Sequence, residues 1–413
     1  MLFRPYFLGI IVFSAVLFLW ETSIQAQSTI DITRWKDAKN ADDIPEWTRR
    51  MLIRDFRDVT GAVRDEMLAK TLSALKDIFT DSNVVPSTRY NAIFAAGQLV
   101  STEASPGNLP VAYSAALSDL INAYQDTDSP PYLKYGALLG IVRHAVLGIA
   151  PAQQDGVVNL FLQIITELET DEFASDSVFA LPLEPAVWDW FQQTALDGLS
   201  AMKTAGTDGK VIQELLAVIN RQSQELEELM CHQDMFSSRE KEQVRRTIEL
   251  ASKAAKTLGD LDYKLLTDID EQKIIDSFVA LAKVVCNVES KIIADSTGQR
   301  GTSPDPATLI GQIVADMKIC TQSIVWGIQC RFLTSRWGEN SFYAALVIAN
   351  NDKARNRLDR LLKEIGELST FFDEGDKTNR QAVPLGNMGK AFKFDLRELG
   401  EFLENFSESL SNI

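Results

Sequence analysis

The sequence predicts an all-α protein, a helical solenoid followed by a C-terminal helical bundle, and three observations carry this. Residues 71–81 (TLSALKDIFTD) align without a gap on residues 116–126 (ALSDLINAYQD). The same offset of 45 residues carries Arg89-Tyr90-Asn91-Ala92-Ile93-Phe94 onto Lys134-Tyr135-Gly136-Ala137-Leu138-Leu139. A period of this length with two helical segments per unit is the mark of stacked helix pairs. From Asp43 onward apolar residues recur at helical spacing, and strand-like alternation of useful length is absent. The apolar fraction of 46% suits a packed core, and 413 residues allow two or three domains.

Residues 1–26 read as a secretory signal peptide. Arg4 supplies the positive start, residues 8–20 are an apolar run of 13, and Ile24-Gln25-Ala26 puts a small residue before a cut. The mature chain then begins at Gln27 and is exported, to a periplasmic or extracellular location. The alternative is an uncleaved anchor helix. The run is shorter than the ~20 residues a span needs, and Glu21 closes it. The leader carries one Arg and one Glu, so the formal charge of −16 is unchanged by cleavage. So acidic a chain lacks the basic footprint of nucleic-acid binding and is not drawn to an anionic membrane surface. No nucleic-acid partner is expected, and no membrane association once the leader is removed.

Residues 27–42 form a polar lead-in, and residues 43–262 the helical repeats. Pro86 opens the second helix of the first clear unit, where its missing N–H costs nothing. Tyr90, Ile93, Phe94 and Gly97 follow on one face. In the next unit Pro130-Pro131 opens the helix, and Tyr135, Leu138, Leu139 and Val142 take that face. Ala92 and Ala137 are the small residues that let neighbouring helices approach. A third unit, 157–202, has Val158, Phe161, Leu162 and Ile165 on its first helix and Ala195 on its second. A fourth, 210–261, repeats the spacing of Ala92, Gly97 and Leu99 at Ala254, Gly259 and Leu261.

Residues 86–99 (PSTRYNAIFAAGQL) resemble the second-helix pattern of HEAT repeats: Arg, then Ala three on, Gly eight on and Leu ten on. Asp128 followed by Lys134 resembles the acidic and basic residues that ladder along such solenoids, with Asn83 in the first unit's acidic place. The resemblance covers about half the chain. It implies an armadillo-like solenoid fold, as in exported bacterial HEAT-like proteins, and no activity.

The third unit carries an insertion, residues 171–185 (DEFASDSVFALPLEP). Insertions in solenoids map to loops on one face, often the binding face. After Leu261 the repeat signal fades, and residues 263–413 form a C-terminal helical region. Its long helices are expected at 265–293, 305–333, 352–372 and 390–410, with Gly- and Pro-containing linkers at 298–306 and 375–388.

The cysteines are Cys231, Cys286, Cys320 and Cys330. Cys320 and Cys330 fall on one predicted helix about 15 Å apart, too far for a bridge between them unless Gly327 breaks the helix. Either two bridges join Cys231 and Cys286 to Cys320 and Cys330, or all four are separate thiols. His144 ends a repeat helix, where the helix dipole favours its protonated form, and it holds the place of Leu99 in the preceding unit, so partial burial is expected. Cys231-His232 is the only Cys/His pair near in sequence, and adjacent helical residues point apart. No H-E-x-x-H, phosphate loop or G-x-G-x-x-G is present. Hence no catalytic residue, metal or cofactor is expected. Carboxylate pairs such as Asp268 and Asp270 are what an acidic surface helix contains by chance.

Trp188-Asp189-Trp190-Phe191 is the densest aromatic cluster. Residues i and i+2 on a helix face different ways, so one tryptophan is exposed beside the insertion unless neighbouring helices bury both. Phe173, Val178, Phe179, Leu181 and Leu183 make the insertion apolar. The candidate partner-binding residues are Trp188, Trp190, Phe179 and Leu181. The leading expectation is a non-catalytic interaction or scaffold protein that binds a protein or polymer partner in the cell envelope. The alternatives are a carboxylate enzyme or enzyme subunit with its site in the concave groove, and a small-molecule or lipid carrier with a cavity beside the bundle.

Overall fold

The computed structural model describes Phe56 and residues 59–167, 184–231, 238–263, 270–298, 305–330, 338–375 and 392–413. The leader, the lead-in, most of the insertion and residues 376–391 lie outside that set. Thirteen α-helices account for about 80% of the described residues, with almost no sheet among them, so the fold class is all-α. They fall into two compact units, which divide between Val157 and Val158.

The first unit is built from α1 (Gly61–Thr80), α2 (Pro86–Gln98), α3 (Ser114–Gln125) and α4 (Pro131–Leu147). Both second helices start on proline at their first position. At an offset of 45 residues most buried positions of the two helix pairs correspond. Thr71, Leu72, Leu75, Ile78 and Phe79 of α1 are buried, and so are Ala116, Leu117, Leu120, Ala123 and Tyr124 of α3. Thr88, Ala92, Ile93, Ala95, Ala96 and Leu99 are matched by Leu133, Ala137, Leu138, Gly140, Ile141 and His144.

The turns match as well. Asp81 accepts the Asn83 backbone N–H at 2.9 Å, and Asp126 accepts that of Asp128 at 3.1 Å. The basic residue one turn into each second helix reaches back to the end of the first. Arg89 Nε donates to the Phe79 carbonyl at 3.0 Å, and Lys134 Nζ donates to the Tyr124 carbonyl at 2.9 Å. These bonds satisfy carbonyls that a helix C-terminus leaves without intrahelical partners.

The two pairs are joined by polar contacts, one of them between equivalent positions. Arg143 donates to Gln98, its counterpart in α2, at 2.7 Å, and Lys76 of α1 pairs with Asp119 of α3 at 2.6 Å. The backbones of α2 and α4 touch at glycines, where a Cβ on Gly97 would lie 2.6 Å from the Gly140 Cα. Ala92, on another side of α2, is fully buried too. Ala92→Leu is therefore expected to overpack its surroundings and cost roughly 1–3 kcal/mol, read as a lower denaturation midpoint. An unchanged midpoint would contradict this packing.

The sequence does not announce what links the pairs. Val100–Thr102 (β1) and Val111–Ala112 (β2) form a two-stranded antiparallel ribbon between α2 and α3. Two and three residues are too few to register as alternation. Arg64 of α1 ties the ribbon down, donating to the Val100 carbonyl at 2.9 Å and to Glu103 at 2.8 Å.

Helix α5 (Pro151–Thr166) crosses the division between the units. The second unit continues with α6 (Pro185–Met202), α7 (Lys210–Met230), α8 (Ser238–Asp260), α9 (Glu271–Gly298), α10 (Pro306–Gln329), α11 (Phe342–Ile348), α12 (Asp352–Gly375) and α13 (Leu396–Leu410). Helix α8 packs on α6, α7 and α10, while α9 packs on α7 and α13. The expected boundary at 262/263 falls inside this unit, where the Tyr263 backbone N–H donates to the Asn340 carbonyl at 3.2 Å. Gly259 and Gly327 let α8 and α10 meet backbone to backbone, as Gly97 and Gly140 do in the first unit.

The C-terminal helices fall close to their expected places, with differences at their ends. Helix α10 stops at Gln329 because Cys330 turns left-handed, at φ 53°, and its N–H returns to the Trp326 carbonyl at 2.7 Å. Cys330 is therefore a cap and not a helical residue. Helix α13 begins at Leu396, not Lys390, under a capping box of Asp395 and Glu398. Helix α11, which the sequence reading missed, is two turns long and starts at Ser341, whose hydroxyl accepts the Ala344 N–H at 3.2 Å.

Candidate functional site

Helix α6 carries the aromatic cluster. Pro185 opens it, and Ala195, Leu196 and Leu199 bury one face. Gln192 reaches the carbonyls of Ile164 and Ile165 at the end of α5, each at 3.4 Å, and Arg221 of α7 reaches Ile165 at 3.0 Å. The third helix pair thus serves its C-terminal carbonyls as Arg89 and Lys134 do, from a different position. Asp189 is held by Arg246 of α8 at 3.3 Å.

These contacts fix the rotation of α6 and separate the two tryptophans. Trp188 points inward, 5% exposed, with its ring 6.3 Å from that of Phe191. Trp190 points outward, 58% exposed. Of the four sequence-derived candidates, Trp188 is therefore a core residue and Trp190 a surface residue. Phe179 and Leu181 lie outside the described residues. Trp326 is half-buried, donating through Nε1 to Asp260 at 2.8 Å, while Trp337 lies outside the described set.

The histidine expectation is corrected. His144 is buried with no partner for Nε2 among the described residues, and burial, aided by the adjacent Arg143 charge, lowers its pKa to about 4. Desolvation outweighs the helix-end effect, and the ring is neutral, filling the place of Leu99. The folded pKa lies below the unfolded one, so stability is complete above pH 6.5 and is lost as pH falls toward 4. By pH 5 the loss is expected to reach about 2 kcal/mol. His144→Leu removes this term, and acid denaturation curves of the two proteins measure it. Parallel curves between pH 7 and pH 5 would contradict the account.

The four cysteines are thiols outside any disulfide: Cys231 is exposed at the end of α7, Cys330 half-buried, and Cys286 and Cys320 fully buried. Cys286 Sγ lies 4.0 Å from the Met317 sulfur. Burial pushes the Cys320 thiol up to about 12 and the Cys286 thiol well above its ordinary value. Both are protonated and inert, as buried structural thiols are.

A carboxyl pair the sequence reading did not single out lies beside them. Glu289 of α9 is 1% exposed and Asp316 of α10 is 9% exposed. The Glu289 Oε1 atom has no hydrogen-bond partner among the described residues. Burial first, and Asp316 second, hold the Glu289 carboxyl well above the usual carboxylate range. Asp316 rises to about 6, mainly through burial, with the Arg245 charge opposing. One signal could have found them: both fall on the apolar stripes of their helices, Glu289 between Val285 and Ile293, Asp316 between Ile313 and Cys320. Of the pair imagined from sequence, Asp270 caps α9 through the Lys273 N–H at 3.1 Å, and Asp268 lies outside the described residues.

Among the described residues no three His, Cys, Asp or Glu side chains are grouped to hold a metal ion. No helix there is long and apolar enough to cross a membrane. Compared with protein-family models, with curated proteins and with solved structures, the chain matches none of them.

Proposed function

We propose that this is an exported, non-catalytic interaction protein. It presents the helix pairs of a HEAT-like solenoid to a protein or polymer partner in the cell envelope. The observation that carries the binding reading is Trp190, a large aromatic 58% exposed on a helix whose opposite face is core. An aromatic held on a rigid element buries large area at small entropic cost, which suits an interface anchor. The solenoid reading is supported by the matched burial, turns and Arg89/Lys134 bonds of two successive helix pairs. Stacking such pairs yields an extended binding surface. Export rests on the n-, h- and c-regions of residues 1–26.

The test uses the mature chain from Gln27 as bait in cell-envelope extract, wild type beside Trp190→Ala. The variant should retain its melting midpoint and capture the same partner roughly tenfold less well. Equal capture removes Trp190 from the interface. N-terminal sequencing of the exported product should begin at or near Gln27, whereas an intact Met1 in a membrane fraction would replace export by anchoring.

A carboxylate enzyme is the second reading, and the shifted protonation of Glu289 and Asp316 is what favours it. Their enclosure weighs against it, because a substrate would have to displace packed core side chains to touch Glu289.

A further inference from the structure

We propose that Glu289 and Asp316 form a proton-holding joint between α9 and α10, whose ionisation loosens the two helices and opens the core around Cys286 and Cys320. The argument starts from what surrounds the two carboxyls. Glu289 has lost nearly all contact with water, its Oε1 has no partner, and the group that bears on it is a second carboxyl. A negative charge there would have neither solvent nor a paired cation, the costliest situation for a buried ionisable group.

The neighbouring elements do not relieve it. From α8, Arg245 faces Asp316, but it is bonded to Glu249 at 3.0 Å with a side chain 57% exposed, and Glu249 and Glu242 add negative charge. From α12, Asp373 engages Lys318, two residues along α10 from Asp316 and so on another side of that helix. From α13, Ser407 donates to Asn287 of α9 at 2.7 Å. From α7, Arg221 is taken by the end of α5, and Glu225 accepts from Gln243 of α8. The thiols beside the pair, Cys286 on α9 and Cys320 on α10, are neutral and fully buried.

The direction follows. Both carboxyls titrate higher in the folded chain than in the unfolded one. The proton-bound fold is therefore favoured at low pH, and stability falls as pH rises from the ordinary carboxylate range through about 6. This is opposite in sign to the His144 effect. Cys286 stands one turn before Glu289 and Cys320 one turn after Asp316, so opening of the joint exposes both thiols.

The experiment compares the mature chain with Glu289→Gln, Asp316→Asn and the surface control Glu66→Gln, an exposed residue of α1, from pH 4.5 to 8.5. Glu289→Gln should melt higher than wild type by a margin that grows with pH, reaching roughly 3–8 °C at pH 8, and Asp316→Asn should show the same trend. Taking differences from wild type cancels the His144 term, and Glu66→Gln should follow the wild-type slope. At pH 8 a neutral alkylating reagent, read by peptide mass mapping, should label Cys286 and Cys320 roughly tenfold faster in wild type than in Glu289→Gln. A Glu289→Gln offset that is constant with pH, or equal thiol labelling in the two proteins, overturns the proposal. Should Glu289→Gln fail to fold, Asp316→Asn carries both readouts alone.

Discussion

Trp188→Ala is expected to cost roughly 3–5 kcal/mol of stability, while Trp190→Ala, two residues away, stays within about 0.5 kcal/mol of wild type. Trp188 fills the space between α6 and its neighbours, beside Phe191, and its removal leaves a cavity that α6 cannot close. That helix is held by Ala195, Leu196 and Leu199 in the core and by Gln192 and Asp189 at its flanks. Trp190 faces solvent, so its truncation removes little packing. Paired melting curves decide: equal losses would put both rings in the core and remove Trp190 as an anchor. A loss at Trp188 alone, joined to weakened capture by Trp190→Ala, separates folding from binding within one turn of helix.

Lys134→Met should cost about 2–3 kcal/mol, the range for hydrogen bonds to a charged group. The side chain is fully buried, with its ammonium on the carbonyls of Tyr124 and Asp126 at the end of α3. Methionine keeps most of the stem's volume and removes the donor. The equivalent Arg89→Met should cost less, about 1 kcal/mol, because Arg89 is only half-buried and its guanidinium also reaches Tyr132 at 3.2 Å. Urea denaturation of the two variants measures both. A neutral Lys134→Met would mean that the charge is a tolerated burden and not the clasp of its helix pair.

Much of the helical plan was legible because it is written in repeated local constraints. Leu72 and Leu117, or Ala92 and Ala137, must be apolar or small at fixed spacing for the helices to pack, and Pro86 and Pro131 mark where second helices begin. The facing of the tryptophans was not legible. Residues i and i+2 diverge on any helix, but which one points inward depends on partners tens of residues away, such as Arg246 and Phe161. The same limit hid the Glu289–Asp316 pair, since each is an ordinary acidic residue until α9 and α10 meet. At His144 the equivalence with Leu99 implied partial burial, but burial is nearly complete, and its desolvation outweighs the helix dipole that favours the protonated form. The cap at Cys330 and the ribbon at 100–112 turn on single backbone conformations that carry no pattern.

The most direct test of the central claim, that successive helix pairs are copies of one 45-residue unit, is a crystal structure of the mature chain. Residues 71–99 should superpose on residues 116–144 to within about 1–2 Å, the backbone spread of packed helices with ridges in the same grooves. Arg89 should be bonded to the Phe79 carbonyl and Lys134 to the Tyr124 carbonyl, with Gly97 in contact with Gly140. Two helix pairs that superpose poorly, or share only one of the two carbonyl bonds, would show the likeness to be one of sequence alone and would contradict the account.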